Sequence, residues 1–115
     1  MIRRGDVLIA DLSPVIGHEQ GGRRPVLVLS PAGYHAWPIE MAVVAPITSR
    51  DRRLRHHIPL GREAGLRTET SFVMPEYVRA ISRQRLTGRA LGAARPATLD
   101  EVERWVSQFT SEPPF

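Results

Sequence analysis

Between Ile16 and Ser30 the chain reads IGHEQGGRRPVLVLS, so an imidazole (His18), a carboxylate (Glu19), an amide (Gln20) and two guanidiniums (Arg23, Arg24) directly precede an apolar run. His18 and Glu19 are proton-transfer groups, and Arg24 is a candidate to hold negative charge. The same functions recur downstream. Glu76 is a further proton-transfer candidate, Arg79 a further anion stabiliser, and Thr48 and Ser49 are hydroxyls at the end of another apolar segment, suited to phosphate contacts. Cleaving RNA requires a base for the 2′-hydroxyl, an acid for the leaving oxygen and positive charge over the phosphorane, and these side chains cover all three without a cofactor. The set is sufficient for that chemistry and not diagnostic of it. The plainer alternative is a glycine-rich hairpin with solvated charges.

Other chemistries lack their residues. There is no His-Glu-x-x-His and, with no cysteine at all, neither a thiolate ligand nor a disulfide. His56 and His57 are adjacent, and on an extended chain neighbouring side chains point to opposite sides, so they are not expected to share an ion. No metal and no cofactor is expected. No serine sits in a nucleophile elbow, and no Walker or dinucleotide-binding glycine pattern is present.

The balance of charge points to an anionic partner. Net charge is +4, and all 16 Lys+Arg residues are arginine, whose planar fork matches phosphate. The densest basic stretch is RDRRLRHH, residues 50–57, which has neither helical nor strand periodicity and reads as an exposed loop. Arg50, Arg52, Arg53, Arg55 and His57 are the candidate RNA contacts there, joined by Gln20, Ser49 and Arg79. A non-catalytic RNA-binding module is the competing reading, but such modules stack bases on exposed aromatics, and only 3 Phe, 2 Trp and 2 Tyr serve core and surface together.

These groups need a scaffold. At 115 residues and 42% hydrophobic, the chain suits one domain spanning residues 1–115. No apolar run approaches the ~20 residues that cross a bilayer, and the start lacks a signal-peptide core, so a cytoplasmic protein with no membrane association is expected. Short apolar segments separated by turn residues predict strands at Val7–Leu12, Val26–Leu29, Met41–Ile47, Ile58–Leu60, Ser71–Met74 and Tyr77–Ile81. Val26–Leu29, bounded by Pro25 and Ser30, reads as buried on both faces. Arg24 precedes a proline and is therefore held extended, so its guanidinium projects from a stiff strand start. Residues 34–38 read as an irregular connection, and Pro75-Glu76 as a bulge. Thr98 with Glu101 three residues on matches a capping box ahead of Leu99, Val102, Val106 and Phe109 at helical spacing, with Trp105 beside them. The architecture expected is mainly β, a small antiparallel barrel with a C-terminal helix packed on it.

Several of these motifs fall in a familiar order. Gly17-His18-Glu19-Gln20-x-Gly22-x-Arg24-Pro25-Val26-Leu27 resembles the signature loop of the MazF/PemK (Kid) toxins, the RNA-cleaving halves of toxin–antitoxin pairs. Pro46-Ile47-Thr48-Ser49, Gly65-Leu66, Val78-Arg79-Ala80-Ile81 and Arg85-Leu86 follow in the family's sequence. The resemblance spans roughly residues 2–109. It implies an SH3-like barrel acting as a homodimer that cuts single-stranded RNA or mRNA at short sequences without metal, silenced by a cognate acidic, MazE-like antitoxin. It also implies Arg24 and Thr48 as the leading catalytic residues, with His18 and Glu19 in the same loop. Glu76 falls where the PemK branch has a catalytic aspartate, while Met74 stands in place of an arginine and Tyr77 in place of a glutamine. A gyrase-inhibiting toxin of the CcdB type, on the same fold, is the alternative within toxins.

Overall fold

The computed structural model describes residues 2–14, 16–18, 21–67 and 70–111; the loop candidates Glu19 and Gln20 lie outside that set. The described elements run β1 (Asp6–Asp11), β2 (Arg23–Val28), α1 (Ala32–His35), β3 (Met41–Thr48), β4 (Ile58–Leu60), β5 (Ser71–Val73), β6 (Arg79–Ser82), β7 (Leu86–Ala93) and α2 (Pro96–Thr110). The strands form one antiparallel sheet in the order β4-β5-β3-β2-β1-β7, with β6 also on β3. The sheet curls into a half-barrel against which α2 packs, as expected from the sequence.

β2 explains why both faces of this sheet are buried. Val26 and Val28 enter a cluster with Leu8, Ala10, Leu12, Val44 and Ile81, whereas Leu27 and Leu29 enter a second with Val7, Ala45, Ile47, Val73, Leu99 and Val102. Alternation along an extended chain thus feeds two cores from one uninterrupted apolar run. The second cluster receives α2 through Leu99 and Val102, with Trp105 and Val106 packed at its margin.

β3 is the strand on which the others are hung. One edge pairs with β2, and the other pairs first with β6 (Met41–Val44) and then with β5 (Ile47 and Thr48). Pro46 sits at this change of partner. It has no N–H to donate, and its carbonyl accepts from Met74 N at 2.9 Å.

Four sequence expectations change here. Residues 32–35 form a single helical turn, with Ala36 N bonded to the Ala32 carbonyl, rather than an irregular connection. Pro75–Tyr77 is a 3₁₀ turn and not a bulge, so the strand after it begins at Arg79. α2 starts two residues before Thr98, with Arg95 at the N-cap position and no side-chain cap. Pro96 at N1 is the reason, since its fixed φ and missing N–H suit that position without a cap. Finally, β7 was not anticipated. Its residues LTGRALGA are mostly exposed and show no clear alternation, because they pair only with β1.

β7 is held by a close backbone approach. A Cβ on Gly65, whose φ is 72°, would lie within 2.5 Å of the Leu91 carbonyl carbon, and one on Gly92 within 2.5 Å of the Ala64 carbonyl carbon. The 3₁₀ turn Arg62–Ala64 therefore crosses β7 where neither chain has room for a side chain. Gly65→Ala combines this overlap with left-handed strain and is expected to cost about 2 kcal/mol or more, read as a fall in the thermal midpoint. Gly22→Ala, also at positive φ but with open space around it, should cost clearly less.

After β2, Val43 N–H donates to Ser30 Oγ at 2.9 Å, and the same oxygen lies in hydrogen-bond contact with Nε2 of buried His35 at 2.6 Å. Burial first, and then Arg83, lower the His35 pKa from its ordinary 6.5; the Ile2 carbonyl and Asp6 oppose this more weakly. The folded ring thus takes up a proton less readily than the same ring in the unfolded chain. Stability should therefore fall as pH drops below about 6.5. His35→Gln should flatten that part of the stability–pH curve measured by denaturant titration.

Candidate active site

The β2–β3 ladder sets Val28 opposite Val44, Leu27 opposite Ala45 and Val26 opposite Pro46. Continuing this register by two residues brings Arg24 level with Thr48. The two residues line a single cleft of about 460 Å³, together with Ser49, Arg50, Arg52 and Arg67, over a floor of Pro25, Ile47 and Leu66. Pro25 fixes the approach of Arg24, and the end of β3 fixes Thr48.

Each of the two is oriented from behind. Arg24 Nε donates to the Gly21 carbonyl at 3.2 Å, which leaves the two terminal nitrogens to face a ligand. Thr48 is only 8% exposed, and its Oγ1 accepts from Arg50 N at 3.1 Å, so the hydroxyl hydrogen is the part left to donate. Burial, and secondly the positive charge of Arg52, lower the Arg24 pKa; the Tyr77 phenol acts in the other direction. Among the described residues no carboxylate lines the cleft. Four guanidiniums thus share a concave surface without a balancing acid, an arrangement that an anion relieves.

The other sequence candidates are distributed unevenly. Ser49, Arg50 and Arg52 are in the cleft, whereas Arg53 and Arg55 are exposed on the loop that leaves it and do not line it. Arg53 adopts a positive φ of 56°, in a turn where its N–H donates to Asp51 Oδ1 at 2.9 Å. His18 is exposed and outside the lining, and Arg79 is half-buried on β6 opposite Val44. Arg67 and Leu66 had not been singled out as site residues. Leu66 was legible only as part of the ordered Gly65-Leu66 motif, and no sequence signal marked Arg67.

Glu76 belongs to a different cluster. Its Oε2 lies 2.7 Å from His57 Nε2 and 3.1 Å from His56 Nε2. This corrects the expectation that the adjacent histidines diverge. Residues 54–57 form a turn closed by His57 N on the Leu54 carbonyl at 3.1 Å, so the chain is not extended there and both rings converge. Burial raises the Glu76 pKa, but hydrogen bonds from His57, its own backbone N–H and His56 together outweigh it and hold the carboxyl below its ordinary range. His57 is buried in this cluster and is not placed as a surface RNA contact.

Comparison with known proteins agrees with the sequence motifs. Residues 3–110 match the family model described as PemK-like, MazF-like toxin of type II toxin-antitoxin system. The chain belongs to this family. It is 40% identical over 92 residues to Endoribonuclease EndoA of Bacillus subtilis (strain 168), covering 77% of this chain and 78% of that protein. Among solved structures it resembles MazF from Deinococcus radiodurans, with a TM-score of 0.83, 29% identity and 94% of each chain covered. It also resembles a MazE-MazF structure from the same organism, with a TM-score of 0.75, 29% identity and 94% of each chain covered.

The division between cleft and exposed loop can be measured with an uncleavable RNA. Arg50→Ala with Arg52→Ala should reduce the slope of log Kd against log salt by about one to two, because cleft phosphates lose their partners. Arg53→Ala with Arg55→Ala should change it less. Equal effects would mean that the whole loop, and not the cleft, holds the backbone.

Proposed function

We propose that this chain is the toxin of a type II toxin–antitoxin pair and an endoribonuclease, cutting single-stranded RNA at short sequences by attack of the substrate's own 2′-hydroxyl, without a catalytic metal ion. The observation that carries the reading is that Arg24 on β2 and Thr48 on β3 line one arginine-rich cleft in which, among the described residues, there is no carboxylate. The family match and the 40% identity to an endoribonuclease support the activity class.

In this mechanism the 2′-oxygen attacks the adjacent phosphorus and the bond from phosphorus to the 5′-oxygen breaks. The products are a 2′,3′-cyclic phosphate and a 5′-hydroxyl. Arg24 holds the charge that grows on the non-bridging oxygens, Thr48 donates a hydrogen bond to the same group, and Arg52 adds positive potential. The proton of the 2′-hydroxyl passes to a base and another reaches the leaving oxygen. Glu76 is engaged by two imidazoles, so we assign the base to the segment leading to Arg24, at His18 or Glu19.

The partners follow from the same surface. The similar D. radiodurans toxin was solved together with MazE. For this chain we propose a cognate antitoxin whose acidic segment competes with RNA for the arginine cleft, and a working homodimer in the cytoplasm. Among the described residues no helix is long and apolar enough to cross a membrane. A CcdB-like toxin acting through its C-terminal helix, or an RNA-binding module without catalysis, has no need for Arg24 and Thr48 to be brought together.

The test is end-group analysis on a long RNA in excess EDTA. The expected result is cleavage leaving 2′,3′-cyclic phosphate ends, abolished by a single 2′-deoxy nucleotide 5′ to the cut with binding largely intact. Arg24→Ala should lose about 10² to 10³ in rate yet remain folded. Normal cleavage of the 2′-deoxy substrate, or loss of all activity in EDTA, would overturn the mechanism.

A further inference from the structure

We propose that His56, His57 and Glu76 form a binding site for one divalent transition-metal ion of the zinc type, separate from the arginine cleft. Each residue offers one ligand atom, and the three atoms lie within 4.8 Å of one another. Both imidazoles approach the same carboxylate oxygen, Oε2, at 2.7 and 3.1 Å. The two Nε2 atoms and Oε2 thus face one another at close range, and an ion would take the place of the imidazole–carboxylate hydrogen bonds between them. Ligands about 2.0–2.2 Å from a tetrahedral zinc stand about 3.3–3.6 Å apart, so the two imidazole–carboxylate contacts at 2.7 and 3.1 Å must open by up to about 0.9 Å while the imidazoles, within 4.8 Å of each other, close on the ion.

The donor set decides the kind of ion. Two imidazole nitrogens and one carboxylate suit Zn²⁺, Co²⁺, Ni²⁺ or Cu²⁺, whereas Mg²⁺ and Ca²⁺ require mainly oxygen ligands. The His57 side chain is 2% exposed and so is fixed in place, while His56 at 25% and Glu76 at 28% leave a route for the ion and a water in the fourth position. The rings of Trp105 and Phe109 meet His56 edge-on at 5.8 and 5.7 Å, orienting it from the α2 side. One feature limits the affinity. His57 Nδ1 is buried with no hydrogen-bond partner, so the acceptor that usually supports a metal-bound imidazole is missing there. Such a loss typically costs 10- to 100-fold, which puts the expected Kd in the micromolar range rather than that of a closed structural zinc site.

An ion here would tie the end of the loop that carries Arg50, Arg52, Arg53 and Arg55 to the 3₁₀ turn Pro75–Tyr77. Its role is to brace that loop, and it lies apart from the phosphate chemistry assigned to Arg24 and Thr48.

The experiment uses the full chain, stripped with EDTA and dialysed. Zn²⁺ titrated by calorimetry is expected to bind one ion per chain, and a hundredfold excess over Kd should raise the thermal midpoint by roughly 5–10 °C. Co²⁺ should give visible d–d absorption, and Ni²⁺ or Cu²⁺ should quench Trp105 beside His56. His56→Gln and Glu76→Gln should each weaken binding at least about tenfold, while His18→Gln, outside the cluster, should not. Absence of saturable Zn²⁺ binding below about 1 mM, or undiminished binding in both His56→Gln and Glu76→Gln, would overturn the proposal. Cleavage measured in EDTA on the same preparation reports on the functional reading alone, so the two can fail independently.

Discussion

The register between β2 and β3 is the constraint on which the rest depends. Because Val26 stands opposite Pro46, the same register carries Arg24 level with Thr48, and both residues line one cleft. A slip of one residue would turn Val26 and Val28 out of one core and Leu27 out of the other, and would send Arg24 to the opposite face. The apolar packing of β2 therefore protects the site's geometry as well as the fold. Pro46 contributes by ending the β6 pairing, which frees the last residues of β3 to meet β5 and places Thr48 between two strands.

Charge is sorted with the same economy of parts. The positive charge of Arg52 disfavours that of Arg24, and among the described residues nothing acidic lines their cleft to offset it. The carboxylate that might have done so, Glu76, is taken up by His56 and His57 on the side facing α2. One short loop, residues 50–57, thus begins in the cationic cleft and ends in an acid–imidazole cluster. This separation keeps the cleft receptive to an anion.

Much of this was legible in the sequence, for identifiable reasons. Val26–Leu29 declared a doubly buried strand because no polar residue interrupts it, and Arg24 declared itself by standing before Pro25. The spacing of Leu99, Val102 and Val106 marked α2, although Pro96 moved its start away from the capping pattern at Thr98. What could not be read depended on contacts distant in the chain. β7 has no periodicity because only one edge is paired, and Arg67 enters the cleft through the fold of the segment after Gly65. The convergence of His56 and His57 rests on a turn at Leu54 that a charge-rich stretch does not advertise.

The central claim is that the scissile phosphate sits between Arg24 and Thr48. It is tested most directly by the structure of the chain bound to a short RNA made uncleavable by a 2′-deoxy nucleotide at the cut. A non-bridging oxygen of that phosphate is expected within about 3 Å of both the Arg24 guanidinium and Thr48 Oγ1, with Arg52 beside them. A phosphate seated on Arg53 and Arg55, or on the face of α2, with the cleft unoccupied, would contradict it.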